Sequence, residues 1–309
     1  MSTSKKSPTS LIEAIRYFSD LDVCTEHFAK VRWPDGPVCP RCGCVEYSYL
    51  TTRRLWKCKG CKRQYSVKVG TIFEDSPLGL DKWLPAVWLA VNSKNGISSY
   101  ELGRSLGVTQ KSAWFMLHRI RLAMQTKSFL RLSGEVEVDE TFIGGKARNM
   151  HKAERARKIT GTGGANKTAV VGMLERGGNV RAAVIPNVRG RTLKPLVREA
   201  VKPGSAVYTD ALKSYSGLYP EFAHTTVDHA ERYVDGRVHT NGMENFWSLL
   251  KRGLHGTYVS VEPFHLFRYL DERAFTFNLR DRTDYGRFEA VLRTVAGRRL
   301  TYAEVTGQR

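Results

Sequence analysis

No apolar run in this 309-residue chain approaches the roughly 20 residues that would span a bilayer. A membrane span is therefore not expected. The opening Met1-Ser-Thr-Ser-Lys-Lys-Ser-Pro8 is polar, and no signal-peptide core follows it, so a soluble, cytoplasmic protein is expected. The glycines match neither a P-loop nor a dinucleotide fingerprint, which argues against a nucleotide cofactor. No internal repeat or low-complexity tract stands out. Acidic residues are scarce beside basic ones: 30 Asp and Glu against 49 Lys and Arg, a formal charge of +19. That excess predicts salt-dependent attraction to a polyanion, since solubility alone would be served equally well by a mixed-sign surface. Apolar residues make up 41%, enough for a sizeable core in two or three domains.

Six cysteines are present, and four of them fall in two pairs, Cys39-Pro-Arg-Cys42 and Cys58-Lys-Gly-Cys61. Two C-x2-C pairs at this separation point to one structural zinc ion held by Cys39, Cys42, Cys58 and Cys61. Two disulfides are the alternative, disfavoured in a reducing compartment. Cys44 lies beside the first knuckle and leaves the ligand choice slightly open, while Cys24 reads as a core thiol. Strand character at Tyr47–Leu50, Leu55–Lys57 and Gln64–Val69 completes a zinc ribbon. Arg53, Arg54 and Lys57, with Trp56 and Tyr65 interleaved, suggest a DNA-contacting surface; a protein-docking ribbon is the other reading.

Residues 11–33 form a helical segment before the ribbon. Residues 78–125 read as three helices. Ser98 with Glu101 makes a capping-box pattern, Gly107 supplies a turn, and Thr109 caps the next helix. Short helix, glycine turn and capped helix resemble a helix-turn-helix, which would aim Gln110, Lys111 and Ser112 at a major groove. A plain three-helix bundle is the alternative.

The remaining chain carries three acidic positions in distinctive settings. Asp139 sits in the alternating stretch Glu135-Val-Glu-Val-Asp139-Glu-Thr-Phe-Ile-Gly144, a strand, where Asp is disfavoured. Asp210 ends the apolar run Ser205-Ala-Val-Tyr-Thr-Asp210; by itself it could equally cap a following helix. Glu244 opens a helix with Phe246, Leu249, Leu250 and Leu254 at helical spacing. Lys251 is two turns further on, so Glu244 and Lys251 share a face. Three converging carboxylates suit Mg²⁺, and two such ions can clamp the oxygens of a phosphodiester displacement. The expected order is three strands, helix, strand, helix around 214–222, strand, helix. That is the order of an RNase H-like α/β domain with a mixed sheet. The Gly-rich basic connection 144–167 reads as a mobile loop over the site.

The chain thus divides into a helical segment 1–34, zinc ribbon 35–76, helix-turn-helix 77–130, RNase H-like domain 131–280 and basic tail 281–309, which either packs last or stays mobile. The zinc-ribbon motifs, Val-Asp-Glu-Thr-Phe-Ile-Gly-Gly-Lys, Tyr-Thr-Asp and His-Thr-Asn-Gly-Met-Glu-Asn-Phe-Trp-Ser-Leu-Leu-Lys together resemble the DDE transposases of bacterial insertion sequences, in their zinc-ribbon, ISXO-type branch. The resemblance implies Mg²⁺-dependent cleavage and strand transfer at terminal inverted repeats, with two Mg²⁺ ions (Mn²⁺ being the other candidate). It puts Asp139, Asp210 and Glu244 at the DDE positions and Lys251 at the following basic one. Asn241 and Asn245 flank Glu244, and some relatives use Asn as third member. The implied partners are terminal repeats, target DNA and at least a second copy of the chain. Two rivals remain open: a DNA-binding regulator with an inactive RNase H-like domain, and a metal-dependent nuclease without strand transfer.

Overall fold

The computed structural model describes residues 7–125, 130–145, 150–158, 166–210, 212–227 and 238–307. They fall into two compact units, Met1–Gln125 with Leu279–Arg309, and Thr126–Asn278. No helix among the described residues is long and apolar enough to cross a membrane.

In the first unit the expected helical segment is two helices, α1 (Leu11–Tyr17) and α2 (Leu21–Arg32). Asp20 separates them, because its carboxylate accepts from the amides of Asp22 and Val23 and starts α2 afresh. The ribbon is a three-stranded antiparallel sheet of β1 (Tyr47–Leu50), β2 (Leu55–Cys58) and β3 (Gln64–Tyr65). Its third strand is shorter than the expected 64–69. Past Tyr65 the chain turns so that Val67, Ile72 and Phe73 are buried, and Lys68 Nζ donates to the carbonyls of Ser76 and Leu78. Helices α3 (Leu80–Asn92), α4 (Ser99–Leu106) and α5 (Gln110–Met124) follow. The expected caps are present: Ser98 accepts from Glu101 N, Gly107 is left-handed at φ 65°, and Thr109 accepts from Ser112 N.

The basic tail packs. Its helix Asp284–Leu292 buries Phe288 against the rings of Phe18 and Trp88, at 5.3 and 5.5 Å. Buried Arg119 donates to the carbonyls of Leu300, Ile72 and Glu74, tying α5 to the tail and to the post-ribbon turn.

The second unit is a five-stranded mixed sheet in the order β6-β5-β4-β7-β8. Its elements are β4 (Glu135–Ile143), helix α6 (Lys152–Lys158), β5 (Thr168–Glu175), β6 (Val180–Ile185), α7 (Gly190–Ala200), β7 (Ala206–Asp210), β8 (Ala223–Val227), α8 (Asn241–Gly256) and α9 (Leu266–Asn278). β4, β5 and β6 pair antiparallel, whereas β4–β7 and β7–β8 pair parallel. The two-residue side-chain period divides β4 and β5 between two cores. Val136, Val138, Val171 and Met173 pack with Leu193 and Val197 of α7. Val170 and Leu174 pack with Met243, Phe246, Trp247 and Leu250 of α8.

One expected helix is missing. Around 214–222 there is only a 3₁₀ turn, Lys213–Tyr215. Gly217 adopts φ 85°, which an α-helix does not continue through, and Pro220 supplies no amide. The expected loop 144–167 contains α6; 146–149 and 159–165 lie outside the described residues.

Candidate active site

The site forms at the end of β7, beside the middle of β4, just past the point where the two parallel strands stop pairing. β4 and β7 pair through Glu137 and Tyr208, and Asp139 and Asp210 each stand two residues further along. The oxygens of Asp139, Glu140 and Asp210 come within 4.8 Å of one another. Consecutive strand residues face opposite sides of a sheet. Asp139 accordingly looks toward α8, where Trp247 Nε1 donates to its Oδ2 at 2.9 Å. Glu140 looks the other way and accepts from the buried hydroxyl of Tyr215. Asp210 Oδ1 also accepts from Leu212 N at 3.2 Å, so its turn-capping and its place in the cluster coexist.

Glu244 lies in the first turn of α8 and lines a cleft of about 440 Å³ with Asp139, Glu140, Thr141, Trp247, Ser248 and Lys251. The helix thus presents Glu244, Ser248 and Lys251 on one face, as their spacing requires. Glu244 stands outside the tight group of three, and neither Asn241 nor Asn245 lines the cleft. Glu140 was not singled out from the sequence. Its signal was there, a second acid beside Asp139, although strand alternation turns it to the other face of the sheet. It returns to the cluster because β7 ends beside it.

Asp139 and Glu140 hold their protons unusually well. Burial lifts Asp139 to about 6, and the charges of Asp210 and Glu244 add to this while Trp247 and the Glu140 backbone oppose it. Burial, then Asp210 and Asp139, lift Glu140 to about 8. Crowded, partly desolvated oxygen donors that resist ionising together suit a hard divalent cation, whose charge removes both penalties.

Two glycines let α8 approach. Gly172 is paired opposite Asp139 in β5, and a Cβ there would lie 2.6 Å from Trp247 Cζ2 and 2.2 Å from Met243 Cε. Gly242 would meet Leu174 Cδ2 at 2.6 Å. His239 serves the helix start: its carbonyl accepts from Arg176 at 2.9 Å.

The four cysteines of the ribbon converge, with all sulfurs within 4.8 Å. Cys39 and Cys61 sulfurs are 3.7 Å apart, and Cys42 and Cys58 sulfurs 3.6 Å. A tetrahedron of Zn–S bonds near 2.3 Å has edges of about 3.8 Å, so the quartet fits zinc. Cys44 lies outside it, its thiol against the Glu46 carbonyl.

The residues expected to touch DNA are placed unevenly. Arg53 and Lys57 are exposed, whereas Arg54 is paired with Asp22, Nε to Oδ1 at 2.6 Å. Trp56 and Tyr65, expected on the surface, are both buried; Trp56 packs on Trp33, Tyr49 and Tyr65 and forms the ribbon's small core. In the first turn of α5, Lys111 is exposed, Gln110 donates to Ser99 Oγ at 2.8 Å, and Ser112 Oγ accepts from Thr109.

Both units contain a region that matches a known family. Residues 131–278 match the ISXO2-like transposase domain, and residues 20–64 match the transposase zinc-ribbon domain. An uncharacterized protein in transposable element ISH50 of Halobacterium salinarum is 29% identical over 260 residues, covering 80% of this chain and 86% of the relative. An uncharacterized transposase-like protein of Haemophilus influenzae is 39% identical over 100 residues, covering 32% of this chain and 80% of the relative. No solved structure matches the chain. With a cysteine quartet inside one matched region and a carboxylate cluster inside the other, the chain belongs to the ISXO2-like transposase family.

Proposed function

We propose that this protein is an active transposase that cuts DNA at the ends of its element and joins those ends to target DNA. The observation that carries the reading is the convergence of Asp139 and Glu140, in the middle of β4, with Asp210 at the end of β7, and Glu244 and Lys251 lining the cleft beside them. Asp139, Asp210 and Glu244 would hold Mg²⁺, with Mn²⁺ as substitute, and Glu140 stands close enough to share in it. When bound, such ions supply charge neutralisation and activate an oxygen nucleophile at a phosphodiester. Lys251 meets the phosphate at the open side of the cleft. The reaction is two in-line displacements, the first by water, the second by the 3′ hydroxyl that it frees.

The strand and helix order of the second unit supports an RNase H-like assignment. The Ser98–Gly107–Thr109 framework of α4 and α5 supports a helix-turn-helix that reads terminal repeats, with Gln110, Lys111 and Ser112 at its leading turn. Arg53 and Lys57 of the ribbon add phosphate contacts; Arg54 would have to leave Asp22 to do so. Two ends must be brought together, so at least a dimer is expected on DNA.

The test incubates purified protein with labelled DNA carrying the element's ends, with Mg²⁺ or EDTA, beside Asp210→Asn. Mg²⁺-dependent cuts at the ends that vanish in the variant, with joined products, are expected. Cuts without joining would leave a nuclease. Binding without cutting by a folded, zinc-loaded protein would leave a regulator.

A further inference from the structure

Two charged residues outside the expected triad hold the helix that carries Glu244. We infer that Glu137 and Arg176 form a clasp between β4 and the start of α8, and that they are positioning residues setting where Glu244 stands relative to Asp139.

Glu137 lies two residues before Asp139, on the same face of β4, and is 1% exposed. Its Oε2 accepts from the amide of Met243 at 3.0 Å. That amide is one of the first donors of α8, and the N-cap Thr240 offers no side-chain bond to any of them. Glu137 therefore caps the helix from a neighbouring strand, and its charge sits at the favourable end of the helix dipole. Gly242 makes room for it, since a Cβ there would lie 2.8 Å from Glu137 Oε2.

A buried carboxylate needs a partner. Arg176 Nε donates to Glu137 Oε1 at 2.8 Å, and its Nη2 donates to the His239 carbonyl at 2.9 Å. One guanidinium thus grips the cap and the residue just before the helix's N-cap. Its own plane rests 4.5 Å over the Tyr208 ring, and the Tyr208 hydroxyl donates to Glu135 at 2.9 Å, beside Arg176 Nη1. The apolar face of α8 would hold the helix against the sheet but resists sliding or rotation poorly, whereas these bonds are directional. Met243 is followed immediately by Glu244. The same strand therefore supplies Asp139 and, two residues earlier, the bond that fixes its counterpart.

The tie to Glu244 rests on the metal-site reading above; the clasp itself does not, and the test separates them. Glu137→Gln keeps an acceptor for Met243 N but removes the charge facing Arg176; Glu137→Ala removes both. For variants whose thermal unfolding remains cooperative, hydrogen exchange of the Met243–Asn245 amides is expected to quicken about tenfold in Glu137→Ala, and less in Glu137→Gln. The Mg²⁺ concentration giving half-maximal end cleavage is expected to rise roughly 10–100-fold, with affinity for end DNA unchanged. Mn²⁺ binding followed by electron paramagnetic resonance should weaken in parallel without any DNA. Unchanged exchange in both folded variants would overturn the clasp. Faster exchange with unchanged Mn²⁺ affinity would overturn its role in placing Glu244. If the wild type cuts nothing yet Glu137→Gln still weakens Mn²⁺ binding, the clasp stands and the transposase reading falls.

Discussion

Asp139 and Glu140 are acids whose folded form grips protons more tightly than the unfolded chain does. From their ordinary values of 3.8 and 4.5 up to about 8, these two groups bind more protons in the native state than in the unfolded chain. Their contribution to stability, with the carboxylates metal-free, should consequently fall as pH rises through that window, whereas burial of His27 and His224, which lowers those groups, acts with the opposite sign. Thermal unfolding of the zinc-loaded protein without Mg²⁺, beside Asp139→Asn, from pH 4 to 8 checks this, and a stability difference between the two that does not grow with pH would contradict it. Asp139→Asn removes one ionising partner, so it should raise metal-free stability at the top of the window while abolishing cleavage. Gly172 offers a second residue-scale test. The added methyl of Gly172→Ala would press on the Trp247 ring, which cannot bend away as a Met terminus can. A loss of about 1–3 kcal/mol in denaturant unfolding is expected, with cleavage impaired because Trp247 no longer meets Asp139. Wild-type stability in that variant would mean that α8 can shift freely.

At the scale of elements, the ribbon is held by four sulfurs and a four-ring core around Trp56, with strands of only two to four residues. Such a small sheet depends on its metal. Cys58→Ser should bind less than one zinc per chain and lose the ribbon's protection from proteolysis, while the mixed sheet of the second unit keeps its far-ultraviolet signal. An intact ribbon in zinc-free protein would show that the cysteines are not structural ligands. The helices were legible from their ends: Ser98, Gly107 and Thr109 carry cap chemistry that works locally. Of the failures, two came where tertiary contacts decided and one where local helix breakers did. β3 stopped at Tyr65 because the next apolar residues were needed in the helical core. The stretch after Tyr215 lacks a helix because Gly217 and Pro220 outweigh its apolar spacing. Trp56 and Tyr65 looked like a DNA-facing pair because interleaved basic residues mark a surface, but a sheet this small builds its core from its own aromatic rings, with Trp33 and Tyr49 completing it.

For the whole molecule, the charge of +19 makes a quantitative demand on DNA binding. The logarithm of the association constant should fall linearly with the logarithm of salt, by about 0.9 per phosphate neutralised on duplex DNA. Lys111→Ala should lower that slope by about 1 if its first-turn position contacts a phosphate. An unchanged slope would remove it from the interface. Of the two readings of the basic tail 281–309, packed or mobile, the structure shows the first: Phe288, Val291 and Leu292 are buried in the first unit. Truncation before Thr283 should therefore unfold that unit rather than merely weaken DNA affinity. Composition reports how a segment's surface is charged, and three apolar residues at helical spacing are enough to place it in a core.

The sequence by itself determined the zinc quartet, most helix ends and the two strand-borne aspartates. In each case the chemistry is written in neighbouring residues: paired cysteines, cap side chains, an acid in an apolar strand. Only the tertiary structure decided that Glu140 joins the cluster, that Cys44 stays out of the quartet and that Arg54 is occupied by Asp22. It alone showed Glu137 and Arg176 at the root of α8, 39 residues apart in the chain and 2.8 Å apart in space. Their partnership depends on the register of antiparallel strands and on the absence of a Cβ at Gly172 and Gly242. Those are properties of packed surfaces, and no local spacing in the chain encodes them.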